Sequence, residues 1–236
     1  MNGTLTGISS MATRLVLDEL ARAYERESGW QVRIESVGGV DAARRVEGGE
    51  AFDVVVLASD AIDRLVRSGR VAEASKTALF RSGVAVAVRA GAPRPDLGSE
   101  AALKRAVLAA RTIGYSTGPS GVHLAKLFER WGIAEQVASR IVQPPPGVPV
   151  GTLIARGDIE LGFQQLSELM NVPGIDVAGL LPPQVQITTV FSGAVCTASA
   201  QADSARRLLA FLASPARGDA KRRHGMEGAD SPTMSR

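Results

Sequence analysis

The chain has 236 residues, 45% of them hydrophobic and 22% charged, which is the composition of a globular protein with one domain or two. The net charge of +3, the scattered Lys and Arg residues and the 4% aromatic content exclude a nucleic-acid footprint but suit a small anionic ligand. The single cysteine, Cys196, excludes an internal disulfide and a cysteine metal cluster, so we expect no metal and no other cofactor.

The first residues, MNGTLTGISSMATR, lack a basic segment followed by a long apolar run. We therefore expect no secretory signal and no membrane span, and a cytoplasmic location for the chain as written. A truncated N-terminus would instead make a periplasmic location the expectation.

Periodicity predicts strands and helices that alternate along most of the chain, as in an α/β fold. The predicted strands are 4–8, 31–36, 52–57, 83–89, 112–115, 140–142, 159–163, 185–189 and 192–198. The predicted helices are 12–27, 40–46, 61–67, 100–110, 122–131, 150–156, 166–170 and 203–213. The tail, residues 214–236, is rich in Gly, Arg, Lys and Ser, and we expect it to fray.

Small residues follow several of the predicted strands. Ser9 and Ser10 follow the first strand, Gly38 and Gly39 the second, and Ser59 the third. In a parallel sheet the loops after the strands share the carboxyl edge, where ligands bind. The sequence therefore predicts a ligand site built from these loops.

The stretch 111–131, RTIGYSTGPSGVHLAKLFERW, repeats this pattern most clearly. A short strand leads through a loop with Ser116, Ser120 and Gly121 into a helix. Free N–H groups at the helix start, together with the loop hydroxyls, favour an anion. The alternative is an ordinary helix start in which Ser120 is the cap.

Four segments, taken in order, resemble the molybdate-binding group of type II periplasmic solute-binding proteins. These segments are LTGISSMATRLVLDELARAYERESG, AARRVEGGEAFDVVVLAS, IGYSTGPSGVHLAKLFERWGI and GDIELGFQQLSEL. The resemblance spans residues 3–213 and implies an α/β fold of two lobes with the ligand in a cleft. Lobe 1 would contain residues 1–82 and 193–236, and lobe 2 would contain residues 83–192.

The resemblance also implies which residues bind the anion. Hydroxyls and backbone N–H groups serve in this family, without a fixed positive charge. The implied ligand-binding residues are Ser9, Ser10, Gly39, Val40, Ala58, Ser59, Ser116, Ser120, Gly121, Val148, Val150, Gln164 and Gln165.

Two positions depart from the family pattern. The molybdate proteins have a serine pair where this chain has Gly39 and Val40, and a tyrosine where it has Gln165. Because a tetrahedral oxyanion needs a fixed set of donors, each lost hydroxyl weakens molybdate binding. We therefore expect a small carboxylate to bind in preference to molybdate.

Few residues are candidates for proton transfer. His123 follows the serine-rich loop and Glu160 lies in the predicted strand 159–163. Each is a candidate catalytic base, and the alternative, a solvated or packing residue, is favoured for both. Arg44 and Arg45 could clamp a carboxylate or could be solvated. No metal-ligand cluster is evident.

Two functions fit this sequence. The first is a substrate-binding protein for a small anion, working with an ABC-transporter permease if the chain is exported. The alternative is a cytoplasmic isomerase of a small unsaturated carboxylate such as aconitate, on the same fold. The site must decide between them, because a fold does not imply a function.

Overall fold

The computed structural model describes residues 3–145 and 148–230, and these form an α/β fold. Its strands are β1 Thr4–Ser10, β2 Gln31–Val37, β3 Val54–Ala58, β4 Thr77–Arg89, β5 Ile113–Tyr115, β6 Ile141–Val142, β7 Leu161–Gln165, β8 Ile175–Leu180, β9 Thr188–Val195 and β10 Glu227–Gly228. Its helices are α1 Arg14–Ser28, α2 Gly39–Glu47, α3 Ser59–Arg67, α4 Glu100–Ala109, α5 Pro119–Arg130, α6 Ala134–Val137, α7 Val150–Arg156, α8 Leu166–Leu169, α9 Ala202–Ala213 and α10 Gly218–Arg223.

The chain divides into two compact units, with the boundaries after Arg81 and after Thr188. Unit 1 contains the described residues up to 81 and from 189, and unit 2 contains the described residues between. The second boundary comes four residues before the expected start at 193. Residues 188–195 form one continuous strand, β9, where the sequence suggested two shorter strands.

In unit 1, β2, β1 and β3 are parallel neighbours, and β9 runs antiparallel to β3. All of β3 is buried, as its continuous apolar sequence predicts. Alternate side chains of this strand enter two cores: Val54 and Val56 pack with α1 and α9, whereas Val55 and Leu57 pack with α2 and α3. The sheet is thus covered by helices on both faces.

In unit 2, β6, β5 and β7 are parallel neighbours, and β4 is antiparallel to β7 and to β8. Val84 and Val86 of β4 enter the core beneath α4 and α5, and Ala85 and Ala87 enter the core beneath α7 and α8. The sequence does not predict β8, because its segment is flanked by Gly and Pro and is only half-buried, so it lacks a clear alternation.

The expectation of a frayed tail is wrong for its described part, which ends at residue 230. After α9 the chain forms α10 and β10, and Lys221 and Met226 are 0% and 1% exposed. The Lys221 ammonium donates to the carbonyls of Leu79 and Ala213, each at 3.2 Å. His224, to which the sequence assigned nothing, lies 2.8 Å from a carboxylate oxygen of Glu19. The polar composition of the segment after α9 gave no indication of these tertiary contacts.

We predict that Met226→Ala destabilises the protein by about 2–4 kcal/mol, because the side chain is enclosed in the unit 1 core and its removal leaves a cavity. Urea unfolding measures the change. The matched control is Met170→Ala, since Met170 is 43% exposed and should cost less than about 1 kcal/mol. Equal effects for the two variants would show that the tail is not part of the core.

Candidate functional site

Unit 1 brings the ends of its three parallel strands to one edge, here called edge 1: the last residues of β1, β2 and β3 and the starts of α1, α2 and α3. Parallel pairing sets Ser9 opposite Ser36 and Ser10 opposite Val37. The hydroxyls of Ser9 and Ser36 are 2.8 Å apart, and Ser9 is 0% exposed. The Ser9 hydroxyl is therefore engaged within the sheet.

Ser10 differs from Ser9, since its buried hydroxyl has no hydrogen-bond partner among the described residues. A Cβ built on Gly39 would lie 3.6 Å from the Ser10 Cβ, so the start of α2 is beside Ser10. Val40, the next helical residue, is 72% exposed. An unpaired buried hydroxyl next to a helix start marks a candidate donor position for an anion.

The third strand of edge 1 ends at Ala58, and Ser59 is the first residue of α3. The hydroxyls of Ser59 and Ser192 are 2.6 Å apart, and β9 is what places Ser192 there. Ser59 and Ser192 are far apart in the chain, so the sequence alone does not predict this contact.

Unit 2 has a corresponding edge, here called edge 2: the last residues of β5, β6 and β7 and the starts of α5, α7 and α8. After β5 the loop folds tightly onto the helix, because a Cβ on Gly121 would come within 1.7 Å of the Ser116 carbonyl oxygen. Only glycine fits there. The alternative in which Ser120 is the cap is wrong: Gly118 caps α5, Pro119 is its first residue, and Ser120 is buried within the first turn.

Two of the implied backbone donors of edge 2 already have acceptors. The Val148 N–H donates to the Pro145 carbonyl at 3.0 Å. The Val150 N–H, at the start of α7, donates to Oε1 of Gln164 at 3.1 Å. The expectation that these two N–H groups hold the ligand is not what this geometry shows.

Gln164 and Gln165 are the last two residues of β7, not part of the loop after it, and both are 4% exposed. Gln164 is held at both ends of its amide, since its Nε2 also donates to Oε1 of Glu168 at 2.8 Å. Gln164 therefore links α7 to α8 and does not offer its amide to a ligand.

Glu168, in α8, is the residue of edge 2 that sequence reasoning missed. Burial raises the pKa of its carboxyl from 4.5 to about 7, and the hydrogen bond from Gln164 lowers it in part. The described residues place no Lys, Arg or His in an ion pair with it. The Glu168 side chain is half-buried; a desolvated carboxyl without a paired cation is unfavourable when ionised, and such groups are common at functional sites. Its position at a strand-to-helix junction was the available sequence signal.

The structure argues against Glu160 as a base. It precedes β7 and therefore lies at the opposite end of the strand from edge 2. Its exposed carboxylate accepts hydrogen bonds from the backbone N–H and the side chain of Arg111, at 2.9 and 3.0 Å, and these bonds lower its pKa. A stabilised anion of this kind is a weak base.

His123 lies one turn into α5 and is exposed. It lines a groove of about 300 Å³ with Lys126, Arg130 and the segment Gln184–Ile187. Ser116 and Ser120 do not line this groove. The structure thus separates His123 from the donors with which the sequence analysis grouped it.

The proposed arginine clamps are engaged elsewhere. Arg44 pairs with Asp41 at 2.7 Å, and Arg45 pairs with Glu35 and Glu50. By contrast, Arg14 begins α1, four residues after Ser10, and is exposed. A cation at a helix N-terminus opposes the helix dipole. Arg14 is therefore a better candidate for contacting a ligand carboxylate than Arg44 or Arg45.

Among the described residues, no group of three or more His, Cys, Asp or Glu side chains is arranged to hold a metal ion. None of the described helices combines the length and the apolar character needed to cross a membrane.

An α/β fold in two units, each with helix starts gathered at one edge of a parallel sheet, is that of the type II periplasmic binding proteins. The sequence profile of the family described as "Bacterial extracellular solute-binding protein" matches residues 5–227. The chain therefore belongs to this family, and the resemblance seen in its sequence is confirmed.

Individual comparisons agree with this assignment. The chain is 42% identical over 217 residues to a Pseudomonas sp. protein named aconitate isomerase, covering 89% of this chain and 82% of that protein. The Azotobacter vinelandii periplasmic molybdate-binding protein has a TM-score of 0.78 at 18% identity, covering 97% of this chain and 100% of that one. The sulfate-binding protein SubI from Mycobacterium tuberculosis H37Rv has a TM-score of 0.77 at 19% identity, covering 97% and 88%. The two solved structures establish the shared fold.

We predict that Glu168 makes the protein less stable as the pH rises from about 5 to about 7.5. The folded state raises the pKa from 4.5 to about 7, so it binds the proton more tightly than the unfolded chain. Its contribution is complete below 4.5 and lost above 7, at most roughly 3 kcal/mol at 1.36 kcal/mol per pKa unit. Urea unfolding at several pH values should show Glu168→Gln gaining stability over wild type as the pH rises. A difference that does not vary with pH contradicts the raised pKa.

Proposed function

We propose that this protein binds a small polycarboxylate and isomerises an unsaturated tricarboxylate of the aconitate type. The observation that carries the proposal is Glu168 at edge 2, a desolvated carboxyl that lacks a paired cation among the described residues. Edge 1 offers the unpaired Ser10 hydroxyl and the starts of three helices, and edge 2 contains Glu168. Donors alone suit a receptor, whereas a carboxyl that titrates near neutral pH suits proton transfer.

The relative named aconitate isomerase supports this reading, since it is 42% identical across most of both chains. The departures from the molybdate pattern point the same way. Gly39 carries no side chain beside Ser10, where a Cβ would be in van der Waals contact with the Ser10 Cβ at 3.6 Å. A flatter ligand than a tetrahedral oxyanion can approach the backbone there.

The alternative is a receptor for a small anion, feeding an ABC-transporter permease. The membership of the chain in the solute-binding family favours it. In that case the protein would bind a carboxylate or an oxyanion and would exchange none of its protons.

The test of the proposal is a ligand panel followed by proton exchange. We expect trans-aconitate and tricarballylate to raise the melting temperature, by an amount that corresponds to about 2.7 kcal/mol at 100 times Kd, and molybdate to have little effect. In deuterated water, NMR should show deuterium entering the methylene position of aconitate and one isomer converting into the other. Tight binding of molybdate without a carboxylate response would support the receptor and contradict the proposal.

A second prediction concerns Arg14. Because it begins α1 near Ser10 and has no carboxylate within ion-pair distance among the described residues, we expect it to pair with a ligand carboxylate. Arg14→Gln should weaken trans-aconitate binding by about 10- to 100-fold, the equivalent of one charged hydrogen bond. Isothermal titration calorimetry measures this. Arg22→Gln, the same change two turns along α1, is the control, and an equal loss in both variants would exclude a local role.

A further inference from the structure

At edge 2, one carboxylate oxygen of Glu168 is free to accept a proton. Oε1 of Glu168 accepts from Gln164 at 2.8 Å. Oε2 accepts no hydrogen bond from the described residues, and it is not among the fully enclosed oxygens that lack a partner. One oxygen is therefore fixed by the protein, and the other remains within reach of a small molecule.

Gln164 fixes the position of this carboxyl. Its Oε1 accepts the Val150 N–H at 3.1 Å, so the amide cannot turn without breaking a bond to the start of α7. Gln164 is 4% exposed and belongs to β7. A side chain held on a rigid strand, bonded at both ends, orients its neighbour as a catalytic carboxylate requires.

We propose that Glu168 is the base that removes and returns the proton in the isomerisation, and that Gln164 is its positioning residue. The inference rests on the proposed function, because it needs an unsaturated tricarboxylate as the substrate. Glu168 would supply the basic group that neither His123 nor Glu160 provides.

The reaction balances without a further reactant. Oε2 of ionised Glu168 takes a proton from the methylene carbon, and the C–H electron pair spreads over the adjacent double bond and its carboxylate as a dienolate. The Glu168 O–H then returns its proton to the former vinylic carbon, and the double bond moves by one position. The base is regenerated, and no electrons leave the substrate. Hydroxyl and N–H groups of edge 2, at the start of α5, stabilise the charge that develops on the substrate.

The surroundings of Glu168 suit a proton that is both taken and returned. The elements that share its core are β4, β8 and α7, and their ionisable groups include Arg89, Asp176 and Arg156. None of these contributes to the pKa shift of Glu168, and Asp176 accepts the Gly91 N–H at 3.1 Å. A carboxyl with a pKa near the working pH is effective in both directions.

The experiment measures isomerisation and deuterium exchange in the full chain as a function of pH. For wild type we expect kcat to rise with pH through an acidic limb near 7. Glu168→Gln should lower kcat by about 10²- to 10⁴-fold while KM and trans-aconitate binding stay within about threefold. Glu168→Asp, which keeps a carboxylate, should restore part of the turnover. Glu135→Gln, the same change at an exposed position of unit 2, should leave kcat within twofold.

Gln164→Met separates positioning from simple packing. It removes the hydrogen bond that lowers the Glu168 pKa, so the acidic limb should move to higher pH while turnover at alkaline pH partly remains. A structural role alone would not move the limb. Circular dichroism and melting temperature establish folding for each variant. If Glu168→Gln does not fold, the lowered kcat of Glu168→Asp and the shifted limb of Gln164→Met carry the test.

The outcomes distinguish the two proposals. Wild type that neither binds nor exchanges any unsaturated tricarboxylate contradicts the proposed function. Wild type that binds trans-aconitate without exchange leaves a receptor and overturns the role of Glu168. Active wild type with Glu168→Gln within threefold of it, or with an unmoved limb in Gln164→Met, overturns this inference alone. If only Glu168→Asp and Gln164→Met fold, the inference is also overturned when both variants keep the wild-type kcat and the wild-type acidic limb.

Discussion

Parallel strand pairing is the constraint on which the candidate site depends. Parallel neighbours end at the same edge, so the residues that follow them meet there however far apart they lie in the chain. In unit 1 this pairing brings Ser10 beside Gly39. In unit 2 it sets Tyr115 opposite Phe163, so that the loop after β5 and the end of β7 share one edge. The helix starts provide the N–H groups, and the register decides which side chains join them.

The same strand pairing also accommodates a carboxyl group whose burial is unfavourable in free energy. A buried carboxyl without a cation opposes folding above its pKa. Glu168 is tolerated because Gln164 gives it one hydrogen bond, and Gln164 in turn is held by the Val150 N–H. Strand and helix thus fix the carboxyl without neutralising it. Groups that lower the stability of a fold in this way are typical of functional sites.

A binding protein and an enzyme can share nearly the same architecture. A solute-binding fold already gathers hydroxyl and N–H donors around an anion, and these donors also stabilise an anion that gains charge during a reaction. What an enzyme adds is a group that moves a proton. In this chain Glu168 is the group that would move a proton under the proposed function.

The sequence by itself determined the fold, because alternating apolar strands and amphipathic helices leave few arrangements, and it indicated the strand ends as the site. It predicted β3 as a fully buried strand from its unbroken apolar run. It could not show that the Val150 N–H donates to Gln164, that Arg111 hydrogen-bonds to Glu160, or that burial raises the pKa of Glu168. Those outcomes depend on contacts between segments far apart in the chain. Burial and hydrogen bonding set the chemistry of a carboxyl, and only the tertiary structure decides them.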